Sequence, residues 1–237
     1  MDKRNGRIAG LTFLLYYATA LGDMFLFAHA SSGKGTAEKL ASIAHNAAQV
    51  ELAIVLSLLT VVYALILAVT LYALTRNVDS EIALMAFTCR VVEGVTNAVP
   101  AAARLGLLSI ATASATASSA DAASLHTQAT LVLKISGWST TVGATIFAVG
   151  STLFAYLFLK GRSIPVLIAW LGVIGSLLVI PIFLVSSMWP VSGTVVWLTS
   201  IPLIIFELAL AFWLLIKGVS TQSSRAQNDD TDDCIVA

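Results

Sequence analysis

Residues 163–206 read SIPVLIAWLGVIGSLLVIPIFLVSSMWPVSGTVVWLTSIPLIIF, a run without one Asp, Glu, Lys or Arg. A helix needs about 20 apolar residues to cross about 30 Å of hydrocarbon, so the run holds two crossings and the bend between them. The bend falls at Ser186-Ser187-Met188-Trp189-Pro190-Val191-Ser192-Gly193, where Pro and Gly mark a turn, giving spans at 164–185 and 194–216. Upstream, 135–159 is uncharged and stops at Lys160-Gly161-Arg162, cations suited to a helix C-terminus. The stretch 52–75 is likewise uncharged and stops at Arg76, while 8–28 carries a single carboxylate, Asp23. The remaining run, 82–103, third in chain order, is the polar one and contains Arg90, Glu93, Asn97 and Pro100. The expectation is an all-α, polytopic transmembrane bundle of six helices. Barrel strands would instead alternate over about ten residues, and these runs are continuous.

Composition agrees. Of the 237 residues 58% are hydrophobic and 11% charged, against about 25% charged in soluble domains. Disorder, collagen-like repeats and a disulfide scaffold are excluded by the same figures. Thirteen basic residues balance thirteen acidic ones, so no basic field points to nucleic acid. With six spans, Lys3, Arg4, Arg7, Arg76, Lys160, Arg162, Lys217 and Arg225 share the side of the N-terminus, against Lys34 and Lys39 opposite. By the positive-inside rule both termini are expected in the cytoplasm of a cell-membrane protein, with Trp189 and Trp197 as outer interfacial anchors. The first apolar run, about 21 residues, exceeds a signal-peptide core of roughly 7–15 and is read as a span. The Ala/Ser/Thr stretch 111–124 reads as an outer linker, and 125–134, with His126, Gln128 and Lys134, as a helix lying in the outer interface. The tail 220–237, with Asp229, Asp230, Asp232 and Asp233, reads as disordered. Its final Cys234-Ile235-Val236-Ala237 fits a prenylation signal or chance, and an anchor adds little to six spans.

Recognisable catalytic sets are missing. The three His, at 29, 45 and 126, lie in or beside outer loops, so axial ligands for haem are not in place. No His/Cys/Asp/Glu cluster has metal-ligand spacing, and no nucleophile elbow or phosphate-binding loop occurs. The expectation is therefore no enzyme and no cofactor. The partners in view are the lipid bilayer, an unidentified small solute and a second copy of the chain.

What the sequence does offer is charge inside the membrane. Such a charge costs about 2.5–3.5 kcal/mol on insertion scales and faces the bundle interior with a partner. Arg90 and Glu93, three apart, share one helix face. At 1.5 Å per residue they lie about 12 and 16 Å from the face bearing the termini; Glu207, ten residues before Lys217, lies about 15 Å from it. One guanidinium can bridge two carboxylates, so an Arg90–Glu93–Glu207 cluster is expected to join the third and sixth spans. Either the acid left without full counter-charge carries protons, or the cluster is a clamp that fixes helix register. Asn97 and Pro100 extend the polar face outward, and Pro100 frees the Thr96 carbonyl, either to bind an ion or merely as part of a helix kink. Asp23, about 22 Å along the first span, belongs to an outer vestibule or reaches water. Ser136, Gly143 and Gly150, and Gly172, Gly175 and Ser176, are expected to let neighbouring helices approach closely.

Three runs stand out together and in order: Arg7-Ile8-Ala9-Gly10-Leu11, Arg90-Val91-Val92-Glu93, and the closing run from Glu207-Leu208-Ala209-Leu210 through Lys217-Gly218. On these the chain resembles the DUF4386 family of small polytopic bacterial membrane proteins of unassigned function. The resemblance implies the six-span architecture and transfers no catalytic residue. Members often carry a His-containing stretch opening the fourth helix, where this chain has Ile135-Ser136-Gly137-Trp138. Two functions follow as expectations: a small transporter or permeability protein whose polar spans line a path, or a non-catalytic scaffold that binds partners. A lipid enzyme is disfavoured for want of a nucleophile–base set.

Overall fold

A computed structural model describes residues 2–189 and 191–218; the acidic tail and Cys234 lie outside them. Among the described residues there are seven helices and no strand: α1 (Asp2–Ala30), α2 (Thr36–His45), α3 (Ala47–Thr75), α4 (Ser80–Ser114), α5 (Ser119–Lys160), α6 (Val166–Met188) and α7 (Gly193–Ile216). All but α2 are long and apolar enough to cross a membrane, so the protein is a multi-pass membrane protein of six spans. On α3, Leu58, Val62, Leu65 and Val69 are exposed, as side chains facing lipid must be.

The long helices form a closed ring in chain order. α1 packs on α3, then α3 on α4, α4 on α5, α5 on α6 and α6 on α7, and α7 returns to α1. Closure is tight at the end bearing the termini. A Cβ placed on Gly10 of α1 would stand 2.6 Å from the Ala211 carbonyl oxygen of α7, so only glycine permits this approach. The small residues expected to pack do so in part. Gly143 faces Thr96, Gly150 faces Cys89, and Gly172 and Gly175 face Phe206 and Leu203. At the same end Asp79 caps α4 by accepting from the Ile82 amide, and accepts from Lys160 Nζ at 2.8 Å, tying the start of α4 to the end of α5.

The far end differs from expectation. Residues 111–124 are not a linker, and 125–134 is not a separate helix on the interface. α4 runs on to Ser114, only 115–118 turn, and the Ser118 hydroxyl caps α5 by accepting from the Asp121 amide. Alanine is the strongest helix former, and low hydropathy does not stop a helix that has neighbours to pack against. Those neighbours are present. Leu107 and Ala111 of α4 and Ala129 of α5 are buried with Leu40 and Ile43 of α2 and Val50 and Ile54 of α3. At 42 residues α5 is about 63 Å long, twice the hydrocarbon thickness. Ile135-Ser136-Gly137-Trp138 accordingly lies well inside a helix and opens none. The loop carrying Lys34 and Lys39 folds into α2, which packs chiefly on α4 and closes the end of the ring opposite the termini.

Candidate functional site

The ring has a charged centre. Arg90 and Glu93 project inward from α4 and Glu207 from α7, each no more than 1% exposed. Arg90 Nη1 donates to Glu93 Oε2 at 3.0 Å, and Arg90 Nη2 donates to Glu207 Oε1 at 2.7 Å. Both carboxylates are therefore bridged by one guanidinium, as the depth arithmetic requires. Yet no Cα of α4 comes within 8 Å of one in α7. These helices stand on opposite sides of the ring, and side chains alone cross its interior.

Other helices complete the shell. Tyr16 of α1 donates to Glu93 Oε1 at 2.8 Å, and the adjacent Tyr17 donates to Glu207 Oε2 at 2.5 Å. Ser151 of α5 accepts from Arg90 Nη2 at 3.2 Å and donates to Glu207 Oε1 at 2.9 Å. The guanidinium carbon stands 4.4 Å from the Phe147 ring centroid and 5.8 Å from that of Phe13. A cation over aromatic faces gains attraction where water cannot supply it. Arg90 Nε is the one buried side-chain polar atom without a partner among the described residues.

A polar axis continues from this centre toward α2. Asn97 Nδ2 approaches Glu93 Oε1 at 3.4 Å, one turn further along α4. Pro100 leaves the Thr96 carbonyl without an intrahelical donor, and the Ser139 hydroxyl of α5 supplies one at 2.9 Å. Thr60 of α3 donates to Thr19 of α1 at 2.8 Å. Beyond these, Asp23 pairs with Arg104 of α4, whose guanidinium carbon lies 4.4 Å from the Phe27 ring centroid. Asp23 is therefore neither a member of the central cluster nor a group that simply reaches water. The expected span, 82–103, stops one residue short of Arg104, and the pair was missed because α4 outruns that boundary.

The sequence also missed Tyr16, Tyr17, Ser151 and Phe147, which carry no formal charge and sit in apolar runs. One signal was available. Tyr16 stands eight residues into its expected span, as Arg90 does in the parallel one, so the two lie at one depth.

With that geometry in place, comparison with known proteins adds one finding. Residues 8–218 match a family described as a domain of unknown function, DUF4386. The chain belongs to the DUF4386 family. The match takes in the whole ring from the start of the first span to Gly218, so the cluster lies inside the part that defines membership. No curated protein and no solved structure matches the chain. Among the described residues no group of three or more His, Cys, Asp or Glu is placed to hold a metal ion. A cleft of about 450 Å³ between α2 and the α4–α5 turn, bordered by Leu40, Ala44, Ala111 and His126, lies at the far end from the cluster.

Proposed function

We propose that this DUF4386 protein is a small transporter or permeability protein, not an enzyme. It moves a small solute along the axis of its helix ring through a cell membrane, with both termini cytoplasmic. One observation carries the reading: the contact between α4 and α7 is made of ionised side chains across a ring interior that their backbones leave open. Replacing a buried ion pair by packed apolar groups is often neutral or stabilising, so a bundle built for stability alone gains little from three buried ionisable side chains. Ionisable groups at mid-depth mark ion paths and proton relays, because they change charge and partner as a path opens. The polar steps from Glu93 through Asn97 to Asp23 and Arg104 supply such a path on the α2 side. The eight cations on the terminal side set the orientation.

A scaffold without flux is the second reading. It is favoured by the closure of the cluster, where every carboxylate oxygen has a donor and exposure is at most 1%. In that case the partners are lipid, a second copy or another membrane protein. Uptake of amino acids, small organic cations and monovalent ions into liposomes carrying the protein separates the two. Transport predicts uptake above protein-free liposomes that falls in both Glu93→Gln and Glu207→Gln. Uptake unchanged in both variants removes the acids from the mechanism, and none with the native protein favours the scaffold.

A further inference from the structure

The central cluster contains two carboxylates and one guanidinium, sealed from water and mid-way across the membrane. With both acids ionised it would carry one uncompensated negative charge there, which solvation forbids unless a further positive charge arrives. The titratable groups that meet in it are Arg90 and Glu93 on α4, Glu207 on α7 and the neutral phenols Tyr16 and Tyr17 on α1. No second cation is among them. One proton resolves the imbalance, and the hydrogen bonds say where it sits.

Glu207 is held by three donors at 2.5, 2.7 and 2.9 Å. Arg90 can only donate. Ser151 accepts from Arg90, which directs its own hydrogen toward Glu207. Tyr17 has Glu207 as its hydrogen-bond partner at 2.5 Å. Glu93 has a different third neighbour. Asn97 meets Glu93 Oε1 at the long distance of 3.4 Å, while its Oδ1 lies against Gly143. A side-chain amide that turns over presents an acceptor where it had a donor, so Asn97 can receive a proton-bearing Glu93. The Tyr17 and Ser151 hydroxyls can accept as well, but each would give up a bond of 2.5 or 2.9 Å to Glu207, whereas Asn97 gives up one of 3.4 Å.

We infer that Glu93 is the proton-binding site of the cluster, holding one proton in the closed ring with Asn97 as its acceptor, while Glu207 remains the anion that answers Arg90. The inference deepens the transport reading and rests on it for its use, but its measurement involves no flux. On opening, Glu93 gives its proton to water that reaches it from the Asn97 and Asp23–Arg104 side, and Arg90 is then shared between two anions.

The test is infrared spectroscopy of the full chain in lipid nanodiscs at neutral pH, together with thermal unfolding. The native protein is expected to show the carbonyl stretch of a protonated carboxylic acid. Glu93→Gln, an uncharged mimic of the protonated acid, should lose that band and keep the native melting midpoint. Asp23→Asn should keep the band. Glu207→Gln should melt lower, because it removes the anion that answers the buried Arg90. Absence of the band from the native protein, its survival in Glu93→Gln, or its loss in Asp23→Asn overturns the assignment. So does a Glu207→Gln variant as stable as the native chain beside a destabilised Glu93→Gln. A protein that moves no solute but behaves as expected here would refute transport and leave the proton on Glu93.

Discussion

Two ionic sites lie on one axis of this ring and are built by opposite arithmetic. Toward α2, Asp23 and Arg104 pair one to one, with side chains 13% and 12% exposed. At the centre Arg90 serves two acids at 1% exposure, with Tyr16, Tyr17 and Ser151 completing the shell. Each arginine also lies over a phenylalanine, at 4.4 Å from Phe27 or from Phe147. The balanced pair joins α1 to α4 and needs nothing further. The unbalanced cluster needs a proton or a change of shape.

The comparison breaks most visibly at Arg90. Arg90→Met strands two buried carboxylates, and removing one partner of a buried pair costs about 3–5 kcal/mol. The variant should lose its folded peak in size-exclusion chromatography or unfold far below the native protein. Adding Glu93→Gln and Glu207→Gln should restore much of that loss; a single variant as stable as the native chain would show that Arg90 does not hold the acids. Arg104→Met should cost less, about 1–2 kcal/mol, since its partner keeps some access to water. Thermal unfolding of Arg104→Met with Asp23→Asn should recover most of it, and an effect equal to that of Arg90→Met would mean that balance and burial do not set the cost.

The smallest effect belongs to the terminal end. The Lys160 side chain hydrogen-bonded to Asp79 holds its carboxyl below the usual carboxylate range, aided by the Ile82 amide. A depressed carboxylate stabilises the fold above its unfolded value, about pH 3.9, and loses that contribution as pH falls through the folded one. The melting midpoint of Asp79→Asn should therefore lie slightly below native from neutral pH to about pH 4, and the gap should close under more acid conditions. A gap that widens with acid would show that Asp79 is not bound in its ionised form.

Much of this was legible in the chain. Uncharged runs set the number of spans because lipid tolerates no loose backbone, and the shared depth of Arg90, Glu93 and Glu207 brought opposed helices together before any coordinates. Hydropathy could not mark where α4 and α5 end. Residues 104–134 leave the apolar pattern while keeping alanine-rich helix propensity, and packing against α2 decides their state. Tyr16 and Tyr17 were hidden for a related reason: a phenol in an apolar run looks like any aromatic until a carboxylate is found opposite it.

The seam between Gly10 and Ala211 joins the first span to the last, which orders events during synthesis. α4 enters the bilayer with its cation already matched by Glu93 three residues on. α6 and α7 contain no Lys or Arg, so Glu207 finds no counter-ion among its recent neighbours on the chain. It must reach back 117 positions to Arg90. The ring thus cannot seal before α7 has been made, and α7 is retained by a residue threaded into lipid long before it.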